Sequence, residues 1–230
     1  VATIFAKVLE EVRPGMVLGL GSGRASQGFI RALAGLVARG LDIRGVPTSV
    51  STQALATELR IPLVGLEQVG AQIDMTVDGA DEVDPELNMI KGYGRALVRE
   101  KIIASASRRL VILIGMKKLV NRLGDRGKLP VEVIPFALPL VLKELAAMGI
   151  AAEVWMQGHE PALSDNGNCI LDCQTEGADD VIELAGRIRA IPGVVDTGIF
   201  QGLASEVLVG DEDRDFAHCQ TLERPASDQT

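Results

Sequence analysis

Histidine is almost absent from this chain: among 230 residues only His159 and His218 occur, and neither lies near a glycine-rich loop or an acidic cluster. Histidine is the commonest metal ligand and the commonest general base near neutral pH. Its scarcity pushes any chemistry toward Asp, Glu and Lys. Cysteine is nearly as scarce. Cys169, Cys173 and Cys219 form an odd set with no CxxC pair, which reads as free thiols in a reducing cytoplasm. Positive charge is also short, with 23 Lys and Arg against 31 Asp and Glu for a net charge of −8. No basic stripe is present to release phosphate counterions, so nucleic acid is excluded as a partner. An anionic ligand would instead need a local grip from backbone N–H groups and a few placed cations. No apolar run reaches the roughly 18 residues of a membrane span, so none is expected. Nor does the chain open with a basic-then-apolar signal peptide, although Val1 implies a few residues before it.

What is present is a chain 47% hydrophobic, long enough for one sizeable core or for a core with a smaller unit inserted. Short apolar runs alternate with amphipathic stretches through the first half, the pattern of a parallel sheet covered by helices. Strands are predicted at Met16–Leu20, Leu41–Val46, Leu63–Leu66, Ile73–Val77 and Leu110–Ile114. Helices are predicted at Ala25–Ala38, where Phe29, Ile30, Leu33, Leu36 and Val37 form one stripe, and at Thr52–Leu59 and Ala96–Ser107. After Lys128 the rhythm changes. Strand Val131–Ile134, helix Leu138–Met148, strands Ala151–Met156 and Cys169–Cys173, helix Asp179–Ala190 and strand Val194–Ile199 follow in β-α-β-β-α-β order. That is the split-βαβ, ferredoxin-like arrangement. The expected fold is therefore α/β: a Rossmann-like parallel-sheet domain over residues 1–128 and 197–230, and a smaller α+β domain over 129–196. Glu206–Val209 reads as a strand returning to the larger sheet, and the polar segment from Asp211 to Thr230 as a loosely held tail.

Four motifs stand where ligands gather in open α/β sheets, at the carboxyl ends of strands. Gly19-Leu20-Gly21-Ser22-Gly23-Arg24-Ala25-Ser26 lies between a strand and a helix. It fits neither the Walker pattern, lacking Gly-Lys-Ser/Thr, nor the dinucleotide pattern, because Arg24 stands where the third glycine belongs. A small phosphate cradle remains, with the Ser22 hydroxyl and the Arg24 guanidinium as added donors; the alternative is a plain tight turn. Asp78-Gly79-Ala80-Asp81-Glu82 follows the next strand without EF-hand spacing. Its alternatives are a solvated acidic turn or a Mg²⁺ site without other evident ligands. Lys91-Gly92-Tyr93-Gly94 and the helical Arg99-Glu100-Lys101 come third, and Lys117-Lys118 fourth. A lysine flanked by glycines can approach a ligand and stabilise an oxyanion, whereas Glu100 alone could equally be an exposed helix carboxylate. Together the set suits proton abstraction beside a carbonyl with stabilisation of an enediolate.

The order of these motifs, with Met89-Ile90-Lys91-Gly92, Arg99-Glu100-Lys101-Ile102-Ile103-Ala104, Leu129-Pro130-Val131-Glu132-Val133-Ile134-Pro135, Asp165-Asn166-Gly167-Asn168 and Ile191-Pro192-Gly193-Val194-Val195, resembles type A ribose-5-phosphate isomerase over roughly residues 8–210. The resemblance implies a metal-free aldose–ketose isomerase of the pentose phosphate pathway, with a sugar phosphate as ligand and a homodimer or homotetramer as assembly. By motif it implies Glu100 as the base, Asp78 and Lys91 at the enediolate oxygens and Asp81 as an aid to ring opening. Ser22, Gly23, Arg24, Ala25, Gly79, Ala80, Gly92, Tyr93, Gly94 and Lys118 would bind substrate. Two departures from the family pattern are visible: Gly21-Ser22-Gly23-Arg24-Ala25 replaces Gly-Thr-Gly-Ser-Thr, and Tyr93-Gly94-Arg95 replaces Gly-Gly-Ala. The first leads to the expectation that Arg24 contacts the phosphate, the second that the pocket wall is bulkier. Rival readings are a sugar-phosphate sensor that has lost catalysis, an amino-sugar phosphate deaminase and a CoA transferase; the joint presence of Glu100, Asp78, Asp81 and Lys91 speaks against the first.

Overall fold

A computed structural model describes residues 2–224. Helix α1 (Ile4–Leu9) is capped by Thr3, whose side chain accepts from the Ala6 N–H at 3.1 Å. Strand β1 (Val17–Leu20) leads into α2 (Arg24–Val37), which buries Phe29, Ile30 and Leu33 as its 3.6-residue period demands. Strand β2 (Arg44–Pro47) is followed by α3 (Val50–Glu58), started by a Ser49 hydroxyl that accepts from the Thr52 N–H at 3.0 Å. Strand β3 (Met75–Asp78), the short strands β4 (Glu82–Val83) and β5 (Met89–Ile90), helix α4 (Leu97–Ser105) and β6 (Leu110–Gly115) complete the first half. The second half runs β7 (Lys128–Val133), α5 (Leu138–Ala147), β8 (Ala152–Val154), β9 (Met156–Gln157), β10 (Glu160–Pro161), β11 (Cys169–Gln174), α6 (Val181–Arg189) and β12 (Val194–Thr197). It closes with β13 (Ile199–Phe200), β14 (Glu206–Asp211) and β15 (Ala217–Glu223).

The main sheet has the order β15-β14-β6-β3-β1-β2, parallel except for β15. All residues of β6 are buried, as expected of a strand covered on both faces. Its alternate side chains feed two cores. Val111 and Leu113 join Phe29, Leu33 and Phe5 on the face of α1 and α2, while Ile112 and Ile114 join Phe200, Met89 and Val209 on the other. The chain leaves β1 toward β2 on one side and returns to β3 on the other, so a crevice opens at the carboxyl ends of β1 and β3.

A second sheet, ordered β12-β7-β11-β8, has every neighbouring pair antiparallel. Counted by appearance this is 4-1-3-2, the split-βαβ order, with α5 and α6 supplying Val141, Leu145, Leu184 and Ile188 to its core. A three-stranded sheet, β13-β5-β4, draws β4 and β5 from the chain between β3 and β6 and β13 from the chain between β12 and β14.

Two expectations are corrected. Leu63–Leu66 is not a strand: Leu63 makes one bridge to Gly45, and Leu66–Val69 winds into a 3₁₀ turn ended by Gly70 in the left-handed region. The Gln68 side chain accepts from the Gly65 N–H at 2.7 Å, and this local bond draws the backbone away from a ladder. The segment after Asp211 is not a loose tail through its described part. Buried Phe216 packs on Phe5 with ring centroids 5.3 Å apart, and β15 then pairs with β14 along its length. Its polar composition reflects an edge position with much of the strand in solvent. Residues 225–230 of the expected tail lie outside the described residues.

Candidate active site

Strand β1 ends in a turn that only glycine can make at two points. A Cβ on Gly21 would lie 2.5 Å from the Asp78 Cα, so the missing side chain lets β1 and β3 close up. Gly23 stands at the N-cap of α2 with φ +87°, in the left-handed region, and has no side chain to cap the helix. The first-turn N–H groups therefore remain open toward solvent, a natural anion site. A cleft of about 270 Å³ opens there, lined by Ser22, Gly23, Arg24 and Ala25 from this turn and by Gly79, Ala80 and Asp81 from the turn after β3. Lys91, Gly92, Gly94, Glu100 and Lys118 line it from the other elements.

The floor is a buried charge cluster. Lys91, Asp78 and Glu100 are 3%, 1% and 5% exposed. The Lys91 Nζ donates to Asp78 Oδ2 at 3.0 Å and to the Gly79 carbonyl, and lies 3.3 Å from Glu100 Oε2. Asp78 Oδ1 accepts from the N–H groups of Ser22 at 2.9 Å and Gly79 at 2.7 Å, and from the Ser26 hydroxyl at 3.3 Å. Asp78 is thus fully engaged beneath the cleft and does not line it. Glu100 Oε2 is different: it is buried, and the Lys91 ammonium near it is outside hydrogen-bond geometry. Burial pushes the Glu100 carboxyl above the ordinary carboxylate range, Lys91 opposes that rise and Asp78 adds to it. Burial also works against the Lys91 charge, but Asp78 and Glu100 outweigh it and hold the ammonium protonated beyond an ordinary lysine.

At the rim, Asp81 accepts from the Tyr93 N–H at 2.9 Å and pairs with Lys118 at 3.4 Å. The Tyr93 ring does not line the cleft: it lies under the Lys128 ammonium, 4.4 Å from Nζ to centroid, so the bulk expected of the wall points elsewhere. The Ser22 hydroxyl is already bonded to Thr48 at 2.8 Å and Ser49 at 2.9 Å. Arg24 is exposed at the cleft mouth, paired with Glu212 and stacked 5.5 Å over Phe216. Glu212 and Phe216 line the cleft too, and sequence reasoning missed both. They sit in the segment read as a tail, and no local signal pointed to a cleft there. Glu82 faces away from the cleft, accepting from the Gly124 N–H at 2.6 Å and the Arg126 N–H at 3.0 Å. No cluster of three metal-ligating side chains occurs among the described residues.

The family model for ribose 5-phosphate isomerase A (phosphoriboisomerase A) matches residues 44–214. The chain belongs to that family. Among its members, the ribose-5-phosphate isomerase A of Roseiflexus castenholzii is 44% identical over 211 residues, spanning 90% of this chain and 89% of the relative. That of Pyrococcus abyssi is 41% identical over 222 residues, 95% of each chain. The solved ribose 5-phosphate isomerase A of Methanocaldococcus jannaschii superposes with a TM-score of 0.86 at 37% identity, covering 96% of both chains. A D-ribose-5-phosphate isomerase solved in complex with phospho-erythronic acid gives 0.87 at 39% identity, again over 96% of both. The isomerase family thus accounts for both sheets and for nearly the whole described chain.

Proposed function

We propose that this family member interconverts D-ribose 5-phosphate and D-ribulose 5-phosphate through an enediolate, with Glu100 as the base. The observation that carries the reading is a buried carboxylate with an unpartnered oxygen, lining the cleft 3.3 Å from a buried ammonium. In this reading the sugar phosphate enters with its phosphate at the open N-terminus of α2, met by the backbone at Gly23, Arg24 and Ala25 and by Lys118. The Gly79-Ala80 and Gly92-Gly94 backbones flank the sugar. Asp81 assists ring opening, Glu100 takes the proton from C2 and returns it at C1, the hydroxyl proton passes from O2 to O1 between those two transfers, and Lys91 stabilises the negative charge on these oxygens meanwhile. Asp78 holds Lys91 in place and charged. Phospho-erythronic acid, the ligand of one solved relative, joins a phosphate and a carboxylate in one small sugar acid. That charge pattern resembles a phosphorylated enediolate and supports the same use of this cleft.

The proposed setting is the cytoplasm and the non-oxidative pentose phosphate pathway, with no cofactor. Three exposed apolar side chains within seven residues of chain, Ile134, Phe136 and Leu140, with Phe136 96% exposed, support a homodimer or homotetramer, and sedimentation velocity should show a species of at least twice the chain mass.

The test is formation of ribulose 5-phosphate from ribose 5-phosphate in EDTA, by wild type and Glu100→Gln. Turnover that survives EDTA and falls at least about 10²-fold in the variant, with KM little changed, is expected. Binding of ribose 5-phosphate without any wild-type turnover would favour the sensor reading instead.

A further inference from the structure

Glu100 lies on α4 between two cations that the proposed chemistry does not use. Arg99 donates from Nε to Asn166 Oδ1 at 2.8 Å and from Nη2 to the Asp165 carbonyl at 2.6 Å. Lys101 donates to the Thr197 carbonyl at 2.7 Å and pairs with Asp196 at 2.8 Å, both on β12. The helix that carries the proposed base is therefore gripped by the loop before β11 and by β12, on the residues immediately before and after that base.

The Arg99 grip reaches further. Asn166 Nδ2 donates to Glu132 Oε1 at 3.0 Å, and the same oxygen takes the Asn168 amide at 2.8 Å and the Ser164 hydroxyl at 3.0 Å. Guanidinium groups only donate and an ionised carboxylate only accepts, so an amide, with its carbonyl toward Arg99 and its NH₂ toward Glu132, is the side chain that joins them. The loop is pinned on its other flank by Asp165, whose carboxylate accepts from the Val50 N–H at 2.7 Å at the start of α3. Glu132 is fully buried on β7, and its second oxygen has no hydrogen-bond partner among the described residues. An orphaned buried acceptor opposes stability, and a well-packed apolar residue would serve the core better. What this carboxylate does is hold three side chains of one loop in a single arrangement.

We propose that Glu132, Asn166 and Arg99 form a positioning relay for the isomerase reaction, fixing the first turn of α4 so that the Glu100 carboxylate stands at its place in the floor of the cleft. The relay rests on the isomerase reading of this site. None of the three residues lines the cleft, so each acts through Glu100 and none touches substrate. Base placement enters the rate steeply, and a displacement of about 1 Å can cost about 10²-fold.

The experiment is a double-mutant cycle of Arg99→Ala with Glu100→Gln, read in kcat and KM for ribose 5-phosphate, with Asn166→Leu as an independent break in the same relay. Arg99→Ala and Asn166→Leu should each lower kcat about 10-fold or more with KM within about twofold of wild type. Arg99→Lys, able to reach one of the two acceptors, should fall between. In the Glu100→Gln background Arg99→Ala should change kcat by less than about twofold, because the group it positions is gone. A general loss of structure would act equally in both backgrounds, so equal factors would overturn the relay. So would wild-type kcat in Arg99→Ala beside a crippled Glu100→Gln. A wild type without turnover would instead overturn the isomerase reading and, with it, any catalytic relay.

Discussion

Glu100 is where residue-scale physics and function meet. Its carboxyl is raised chiefly by burial, and in the proposed role of base it must be ionised to work. The acid limb of kcat/KM should therefore turn over well above the ordinary Glu value of about 4.3, with activity rising as pH rises through it. An acid limb centred at or below 4.3 would remove Glu100 as the base. The same shift has a stability consequence of fixed sign. A carboxyl whose folded pKa is raised destabilises the native state as pH climbs above its unfolded value, and adds nothing below it. Glu100→Gln should accordingly raise Tm, by more at pH 8 than at pH 4, as differential scanning fluorimetry across pH would show. Lys91→Ala removes the counter-charge from both Asp78 and Glu100. It should depress kcat and lower stability together, since it leaves two buried carboxylates unpaired.

At the scale of elements, the cleft depends on the edge strand and its turn as well as on β1 and β3. Phe216 precedes β15, packs on Phe5 of α1, lies under the Arg24 guanidinium and lines the cleft. Phe216→Ala should lower unfolding stability by about 3 kcal/mol, measured in urea, and raise KM by loosening the wall beside the α2 N-terminus. Arg24 makes a separable case. It is paired with Glu212 across the cleft mouth, and the phosphate reading has it contact the substrate. Arg24→Ala should raise KM for ribose 5-phosphate with little change in kcat, and an unchanged KM would leave Arg24 as a partner of Glu212 alone.

Across the whole molecule the segment that leads into α4 is tied to the second sheet by charged contacts around Asp172. This residue of β11 accepts from Arg95 at 2.7 and 2.9 Å, and from Lys128 at 3.1 Å. Burial works against its charge, but those donors outweigh it and hold its carboxyl below the ordinary value. A depressed carboxyl contributes stability above its unfolded pKa of about 3.9 and loses it as pH falls through the folded value. Asp172→Asn should therefore lower Tm at neutral pH and narrow its gap to wild type below about pH 4. The alternation of helices and strands, the fully buried β6 and the βαββαβ order were legible because burial imposes periods that a sequence must carry. The motif residues were legible as a set, since glycines, acids and lysines recur at strand ends. Other features depended on residues far apart in the chain. Phe216 meets Phe5 across more than two hundred positions, β15 becomes a strand because β14 offers it an edge, and Asn166 meets Arg99 through the packing of the second sheet on α4. Local composition thus determined the main helices and buried strands and which residues are chemically capable. Tertiary contact alone decided which of them share the cleft, which lie beneath it and how the carboxylate of Glu100 is left buried with a free oxygen, because desolvation and hydrogen-bond partners are properties of neighbours in space.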